Sequence, residues 1–289
     1  MQRSYNLVTP MGYFARVLKD SISPDGVRLT TIEATYPRIV HAEMMTHRVF
    51  SRNSASSRAI PLEKMIKRVE EDGFSPVWWG KTQKGMQADE ELKDYELQKA
   101  KQYWQEAQDK MVSIVTDLQR IGLHKQIANR LLEPFLWHTS IITATEWENF
   151  FALRCHKATQ PELHEIANMM RVVHDMSVPV PVKIGHWHLP LVSDVDTLIA
   201  EGYTLDDIKR ISVGRCARVS YLTHNGIRDP KADIELCNKL LASGHMSPFE
   251  HCARPMSQFE IDPKVPFSGN FRGWVQMRKE LPNEAVFKT

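Results

Sequence analysis

The sequence predicts an α+β (α/β-type) fold: a mixed sheet with long helices, helix-dominant overall. Three observations carry that expectation. Residues 28–36, Arg-Leu-Thr-Thr-Ile-Glu-Ala-Thr-Tyr, are rich in β-branched types with partial alternation, as in a strand. Over 88–121, Ala100, Tyr103, Trp104, Ala107, Met111, Ile114, Val115 and Leu118 fall at steps of three and four, opposite a face of Lys, Glu, Gln and Asp, which describes one long amphipathic helix. Shorter helical patterns recur at 124–132, 146–152, 161–174, 194–200, 205–212 and 231–243.

In chain order, Pro37 ends the first strand, and Val40, Met44 and Met45 make 39–46 a short helix. Residues 51–58 form a polar stretch crowded with cap and turn formers. A helix over 60–72 opens at Pro61 and carries Leu62, Met65, Ile66 and Val69 at helical spacing. Residues 73–86 read as a loop carrying Trp78 and Trp79, and Gly122 terminates the long helix. Pro179–Pro181 breaks the chain ahead of Gly185-His-Trp-His-Leu-Pro190. Residues 256–261 alternate like a strand, and 267–279, with apolar Phe271, Trp274 and Val275, read as a last helix.

Bulk properties narrow the function classes. A chain of 289 residues, 42% hydrophobic and 25% charged, lies in the ordinary soluble globular range. A net charge of +2, from 37 basic and 35 acidic residues, predicts no non-specific attraction to nucleic acid or to acidic membranes. Anion binding must then come from local arginine placement. No apolar run is long enough to span a bilayer, and Met1–Leu7 carries no signal-peptide core, so the expected location is cytoplasmic. The four cysteines form no C-x-x-C pair and read as free structural thiols. His186 and His188 are too few for a zinc site, so no metal is expected. His124 and His138 read as packing or capping groups, and Trp78 and Trp79 as packing groups or a ligand-stacking pair.

The densest chemistry lies in His47-Arg-Val-Phe-Ser-Arg-Asn-Ser-Ala-Ser-Ser-Arg58, where three arginines, a histidine, four serines and an asparagine fall within twelve residues. Such a segment, just ahead of a helix start, presents guanidinium forks, hydroxyls and N–H groups to an anion. The same composition suits a solvated capping loop, and composition does not separate the two.

This segment resembles the signature of flavin-dependent thymidylate synthases, R-H-R-x-x-S-x-N-x-x-S-x-R. Every fixed position matches except the first, where Thr46 replaces arginine. His245-Met-Ser-Pro-Phe-Glu-His251 resembles that family's H-x-S/T-P-F-E-H, and Ala217-Arg-Val-Ser-Tyr221 the stretch that precedes it. Arg130-Leu-Leu-Glu-Pro134 and Thr143 to Arg154, with Gln160 and Glu162, resemble two further segments. The order differs: the S-P-F-E-H segment lies upstream of the signature in the family and far downstream here. Trp274-Val-Gln-Met-Arg278 with Asn283-Glu284 resembles a degenerate second copy. The expectation is therefore one domain over 1–289, built from two related half-units, 1–175 and 190–289.

The resemblance implies FAD held by His47, Arg48, Val49, Asn53, Asn149, Ser220, Ser247 and Glu250, with Ser247 and Glu250 alternatively forming a capping box. It places Glu43, Ser54, Ser56, Arg58, Arg130 and Arg154 at the substrate, dUMP, with Arg154 catalytic. Glu43 stands where the family often has glutamine, and Ser54 where it has glutamate; Arg52 or Arg278 could supply the charge that Thr46 lacks. The implied reaction is reductive methylation of dUMP to dTMP, with methylenetetrahydrofolate as carbon donor, NADPH as reductant and no enzyme nucleophile, in a homo-oligomer (tetramer or dimer). Two alternatives stay open: a flavin- and folate-dependent pyrimidine nucleotide hydroxymethylase, and a non-catalytic nucleotide-binding relative.

Overall fold

The computed structural model describes residues 6–9, 12–226, 229–261, 266–282 and 284–285. Its centre is a six-stranded sheet. β1 (Asn6–Val8), β2 (Phe14–Ile22), β3 (Arg28–Pro37), β4 (Ser51–Ser54) and β5 (Trp137–Ala144) run in the order β1-β2-β3-β5-β4, all antiparallel. β6 (Val180–Pro181) adds to β2 in parallel. The helices are α1 (His41–Met45), α2 (Leu62–Asp72), α3 (Asp94–Arg120), α4 (Lys125–Leu131), α5 (Glu148–Arg154), α6 (Pro161–Met176), α7 (Val195–Ala200), α8 (Leu205–Ala217) and α9 (Pro230–Ala242). Near the C-terminus β7 (Ala253–Pro255) pairs with β10 (Trp274–Gln276), and β8 (Phe267–Ser268) with β9 (Phe271–Arg272).

The sheet is covered on both faces. On one side α6 lays Leu163, Ile166, Met170 and Val173 into the cluster that holds Val17, Ile32 and Ala34. Elsewhere Ile141 of β5 clusters with Leu191, with Cys216 of α8 and with Val219 of the 3-10 turn after it. β5 is buried along its whole length. A strand buried on both faces needs no alternation, so Trp-His-Thr-Ser-Ile-Ile-Thr-Ala carries no period-two signal. Its hydroxyls are satisfied across the ladder: Thr31 and Thr143 bond through Oγ1 at 2.8 Å, as do Thr35 and Thr139. α2, α3 and α4 build a second core from Met65, Val69, Val115, Ala128 and Leu132, and α3 ends where Gly122 takes φ 85°, as expected of a glycine terminator.

Several expectations are corrected. The segment 267–279 is not a helix but the strands β8, β9 and β10 followed by a 3-10 turn, Met277–Glu280. Gly269 (φ 61°) and Gly273 (φ 68°) turn the chain in the left-handed region, and Trp274 is fully buried with Nε1 donating to the Val27 carbonyl at 3.0 Å. The strand expected over 256–261 lies just before it, at β7; Ser257 instead closes a turn by donating from N and Oγ to Glu260, both at 2.9 Å. The first half of the polar stretch 51–58 is strand β4, and β2 and β5 carried no strand expectation at all. The long helix begins at Asp94 rather than 88, because residues 79–92 fold back on themselves through Lys81 N–Glu90 O (2.7 Å) and Leu92 N–Trp79 O (2.8 Å). Of the suspected second copy, Asn283 lies outside the described residues.

A buried chain of hydrogen bonds stitches two distant segments to the sheet. Ser21 Oγ meets His188 Nδ1, His188 Nε2 meets Thr31 Oγ1, and Thr143 Oγ1 meets His251 Nδ1, each at 2.8 Å. Burial pushes His251 down to about 3 and His188 well below its ordinary range. An unfolded imidazole titrates near 6.5, so between pH 6.5 and 3 the unfolded chain binds a proton at residue 251 that the folded one refuses. Stability is therefore full above that range and falls as pH drops through it. At pH 5 His251 alone removes about 2 kcal/mol relative to pH 7.5. Urea midpoints at the two pH values measure this, and a smaller difference in His251→Phe assigns it; equal midpoints in the wild type would refute it.

Candidate active site

The signature segment is a helix end, a turn and an edge strand. Thr46 follows α1 and donates from Oγ1 to the Glu43 carbonyl at 2.7 Å. Phe50 is buried, its ring centroid 4.7 Å from that of Trp147 and 5.1 Å from that of Phe150, which anchors the 47–50 turn on α5. Among the described residues β4 then pairs with β5 alone and leaves its other edge free of strand pairing.

That edge is where the distant segment docks. With its amide nitrogen turned toward the 3-10 turn Ser247–Glu250, Asn53 donates to Ser247 O and Oγ, each at 3.2 Å. Gln276 Nε2 donates to Ser51 Oγ at 2.9 Å and to the Glu250 carbonyl at 3.1 Å. Ser56 N donates to the Ser220 carbonyl at 3.0 Å, which brings in the 218–221 turn. The result is a cleft of about 570 Å³ into which Arg48, Arg52, Asn53, Ser54, Ser220, Ser247 and Glu250 converge, together with His41, Met45, Phe50 and Asn270.

Its electrostatics favour an anion. Arg52 is occupied, Nη1 donating to the Met44 and His47 carbonyls at 3.1 Å each. Glu250, the cleft's carboxylate, is neutralised by Arg278 Nη1 at 2.5 Å, and Arg278 also pairs with Glu284 at 2.8 Å. Arg48 is exposed, and among the described residues it has no acidic partner. The capping-box reading of Ser247 and Glu250 fails: the turn has no side-chain cap, and the Glu250 carboxylate points to Arg278.

A larger cleft of about 850 Å³ is lined by Glu43 and Arg154, with Trp78, Trp104, Met86 and Lys157 among its walls. Arg154, the last residue of α5, donates from Nε to His47 Nε2 at 2.9 Å and from Nη2 to Thr46 Oγ1 at 3.1 Å. Among the described residues no carboxylate pairs with it, so its charge remains available to a ligand. His47 must accept, and therefore be neutral; burial, with Arg154 and Arg52 beside it, pushes it down to about 4. The threonine at 46 gains a reason here. Its hydroxyl accepts from Arg154 where an arginine would set a second guanidinium against it.

The remaining expected residues sit apart. Val49 is exposed on the turn and Asn149 in the first turn of α5. Ser56, Arg58 and Arg130 line neither cleft; Arg58 is exposed, and Arg130 pairs with Glu133 at 2.8 Å on the surface. His41, Asn270 and Gln276 had no sequence expectation as site residues. Gln276 lies inside the Trp274–Arg278 resemblance, which gave it no role, in a segment read as a helix. Among the described residues no group of three or more His, Cys, Asp or Glu could hold a metal ion, and no helix is long and apolar enough to cross a membrane.

By fold and site this is an α+β chain with an arginine-lined cleft at a sheet edge, formed by a strand–turn signature and a turn from the far end of the chain. The chain belongs to the thymidylate synthase complementing protein family, whose model matches residues 28–180. That span contains the signature and Arg154; the segments 217–221 and 245–251 lie outside it, and the fold returns them to the signature. A search of curated proteins finds no match. Two solved structures of the UMP/dUMP methylase PolB from Streptomyces cacaoi are similar to part of the chain. The one bound with 5-Br dUMP is 17% identical, covers 52% of this chain and 67% of that one, and has a TM-score of 0.43. The one bound with 5-Br UMP is 15% identical, covers 56% and 88%, and has a TM-score of 0.48.

Proposed function

We propose that the protein is a flavin-dependent thymidylate synthase, methylating dUMP to dTMP with methylenetetrahydrofolate as carbon donor and NADPH as reductant. The observation that carries this reading is the junction of the family signature with the 247–250 turn in one cleft, through Asn53–Ser247 and Gln276. The donor set fits FAD: Arg48 without an acidic partner among the described residues, the hydroxyls of Ser220 and Ser247, the Asn53 amide, and a carboxylate already neutralised, all suited to diphosphate and carbonyl oxygens, with Ser54 beside them on the substrate side of the same cleft. His47, Val49 and Asn149 complete the group assigned to the cofactor. When bound, reduced FAD supplies the hydride.

The chain's own groups do the rest. Arg154 meets the negative charge that develops on the pyrimidine, and neutral His47 fixes the guanidinium in place. The thiols support chemistry without an enzyme nucleophile. Burial raises Cys155, and Cys216, Cys237 and Cys252 are buried and raised as well, so none is a ready thiolate at neutral pH. Ser56, Arg58 and Arg130, outside both clefts of their own chain, are assigned to the nucleotide of a neighbouring subunit in a homo-oligomer.

The test is the visible absorption spectrum of the purified protein before and after adding dUMP. A flavin band that shifts on addition supports the reading. A colourless protein that takes up no added FAD defeats it.

A further inference from the structure

His41 lines the smaller cleft without a part in the flavin reading. A run of side chains ties it to Ser54, a second group of the same cleft. His41 Nδ1 meets the Tyr36 hydroxyl at 3.0 Å, that hydroxyl meets Ser140 Oγ at 2.9 Å, and Ser140 Oγ meets Ser54 Oγ at 2.7 Å. The sheet makes this possible. β3, β5 and β4 are successive strands, and Ser54 and Ser140 are direct register partners, so their side chains share one face. The two middle groups, Tyr36 and Ser140, are fully buried, while His41 and Ser54 are half-buried.

Each hydroxyl carries one proton, and a neutral imidazole carries one N–H. Burial, with Arg38 and Arg52 nearby, pushes His41 down to about 4, and burial pushes Tyr36 up to about 12, so neither is ionised near neutral pH. Among the described residues the Tyr36 hydroxyl bonds only His41 and Ser140, and Ser140 Oγ only Tyr36 and Ser54. Two arrangements then satisfy every link. In the first, Ser54 donates to Ser140, Ser140 to Tyr36 and Tyr36 to His41 Nδ1; the ring proton sits on Nε2, and the cleft meets a donor at His41 and an acceptor at Ser54. In the second every bond is reversed: Nδ1–H donates to Tyr36, Tyr36 to Ser140 and Ser140 to Ser54. The cleft then meets an acceptor at His41 and a donor at Ser54. A mixed arrangement sets two protons against each other or leaves a buried link empty.

We infer that His41 and Ser54 are the two ends of one exchangeable hydrogen-bond wire, so that a ligand in the smaller cleft meets one donor and one acceptor, in either order. Passing from the first arrangement to the second takes a proton in at Ser54 Oγ and releases one at His41 Nε2. Ser54, Ser140 and Tyr36 each hand their own proton one place along. Water or a ligand N–H supplies the first proton and water or a ligand nitrogen takes the last; no electrons move and no charge is left on the chain. Tyr36 and Ser140 are positioning residues in this wire. The ligand such a pair fits is an amide or imide ring, which brings both a C=O and an N–H. The uracil of dUMP and the isoalloxazine of FAD both do; naming them rests on the proposed function, and the wire itself does not.

Nitrogen-15 NMR of the full chain labelled at histidine reads which ring nitrogen of His41 carries the proton, with the resonance assigned by its loss in His41→Gln. Spectra of the protein alone, with FAD and with dUMP, in the wild type, Ser140→Ala and Ser54→Ala, form the test. The expected result is that the wild type populates the Nδ1–H form in at least one of these states and that both variants lose it. With alanine at 140, Tyr36 keeps one partner, and accepting from Nδ1–H would strand its own proton in the core. With alanine at 54 the same argument moves one link along, to Ser140. Neither serine bonds His41, so a merely local role of either would leave the tautomer unchanged. Ser54→Ala, at a half-buried position, carries the test if Ser140→Ala does not fold. The ligand that changes the tautomer identifies the ring read by the pair. An Nδ1–H form absent from every wild-type state, or persisting in a folded variant, overturns the inference. The flavin band of the same samples keeps the two readings apart. A dUMP-induced shift without any Nδ1–H form sinks only this inference; an Nδ1–H form that the variants abolish, in a protein that takes up no FAD, sinks only the proposed function.

Discussion

Replacing Arg154 with alanine is expected to lower turnover of dUMP by roughly 100- to 1000-fold, the usual consequence of removing a preorganised charge from a developing anion. The expectation rests on what Arg154 does not touch. Its contacts are a neutral imidazole nitrogen at 2.9 Å and a hydroxyl at 3.1 Å, so the guanidinium is oriented without being neutralised. Loss of those contacts should cost little stability, because the side chain is only partly buried and leaves no stranded charge; the thermal midpoint should hold while activity falls. Arg154→Lys keeps the charge but not the planar fork, and should recover only part of the rate. Wild-type turnover in Arg154→Ala would remove the residue from the site.

The largest stability effect is expected at a residue that lines neither cleft. Asp233 in α9 is buried, with its side chain 1% exposed, and bridges two cations: Arg215 Nε to Oδ2 at 2.9 Å and Arg218 Nε to Oδ1 at 2.6 Å. Arg215 also donates to the Leu191 carbonyl at 2.9 Å. α8 and α9 cross in close contact, since a Cβ at Gly214 would lie 2.3 Å from the Asp233 carbonyl oxygen, so the helices have no room to rearrange. Asp233→Ala strands a buried guanidinium and should cost about 3–5 kcal/mol in a urea titration. A loss below about 1 kcal/mol would mean that water reaches Arg215 and screens it. The effect bears on function because α8 runs directly into the 218–221 turn, which carries Ser220 to the smaller cleft.

How much was legible depended on whether a residue's role is local. β3, the helices and the Gly122 terminator follow from periodicity and punctuation within a few residues. The signature segment was legible by its spacing, and Arg48, Asn53, Ser54, Ser220, Ser247 and Glu250, predicted from scattered motifs, do line one cleft. Gln276 was not legible: Phe271, Trp274 and Val275 fit helical spacing, and only burial of Trp274 against Val27 with two left-handed glycines makes the segment a strand. β5 was hidden for the opposite reason, since burial on both faces erases alternation.

The sequence by itself determined the family, the helix-dominant α+β class and the chemistry of the Thr46–Arg58 segment, because these reside in local order: residue types at fixed offsets along one stretch of chain. The tertiary structure alone decided which segments meet. It set the 247–250 turn on β4, paired Glu250 with Arg278 and, among the described residues, left Arg154 without an acidic partner and buried Glu43 Oε2 without a donor. Those facts depend on which groups burial brings within hydrogen-bonding range across some two hundred residues of chain. Pairing, desolvation and the charge left over are properties of that enclosure, and no local pattern encodes them.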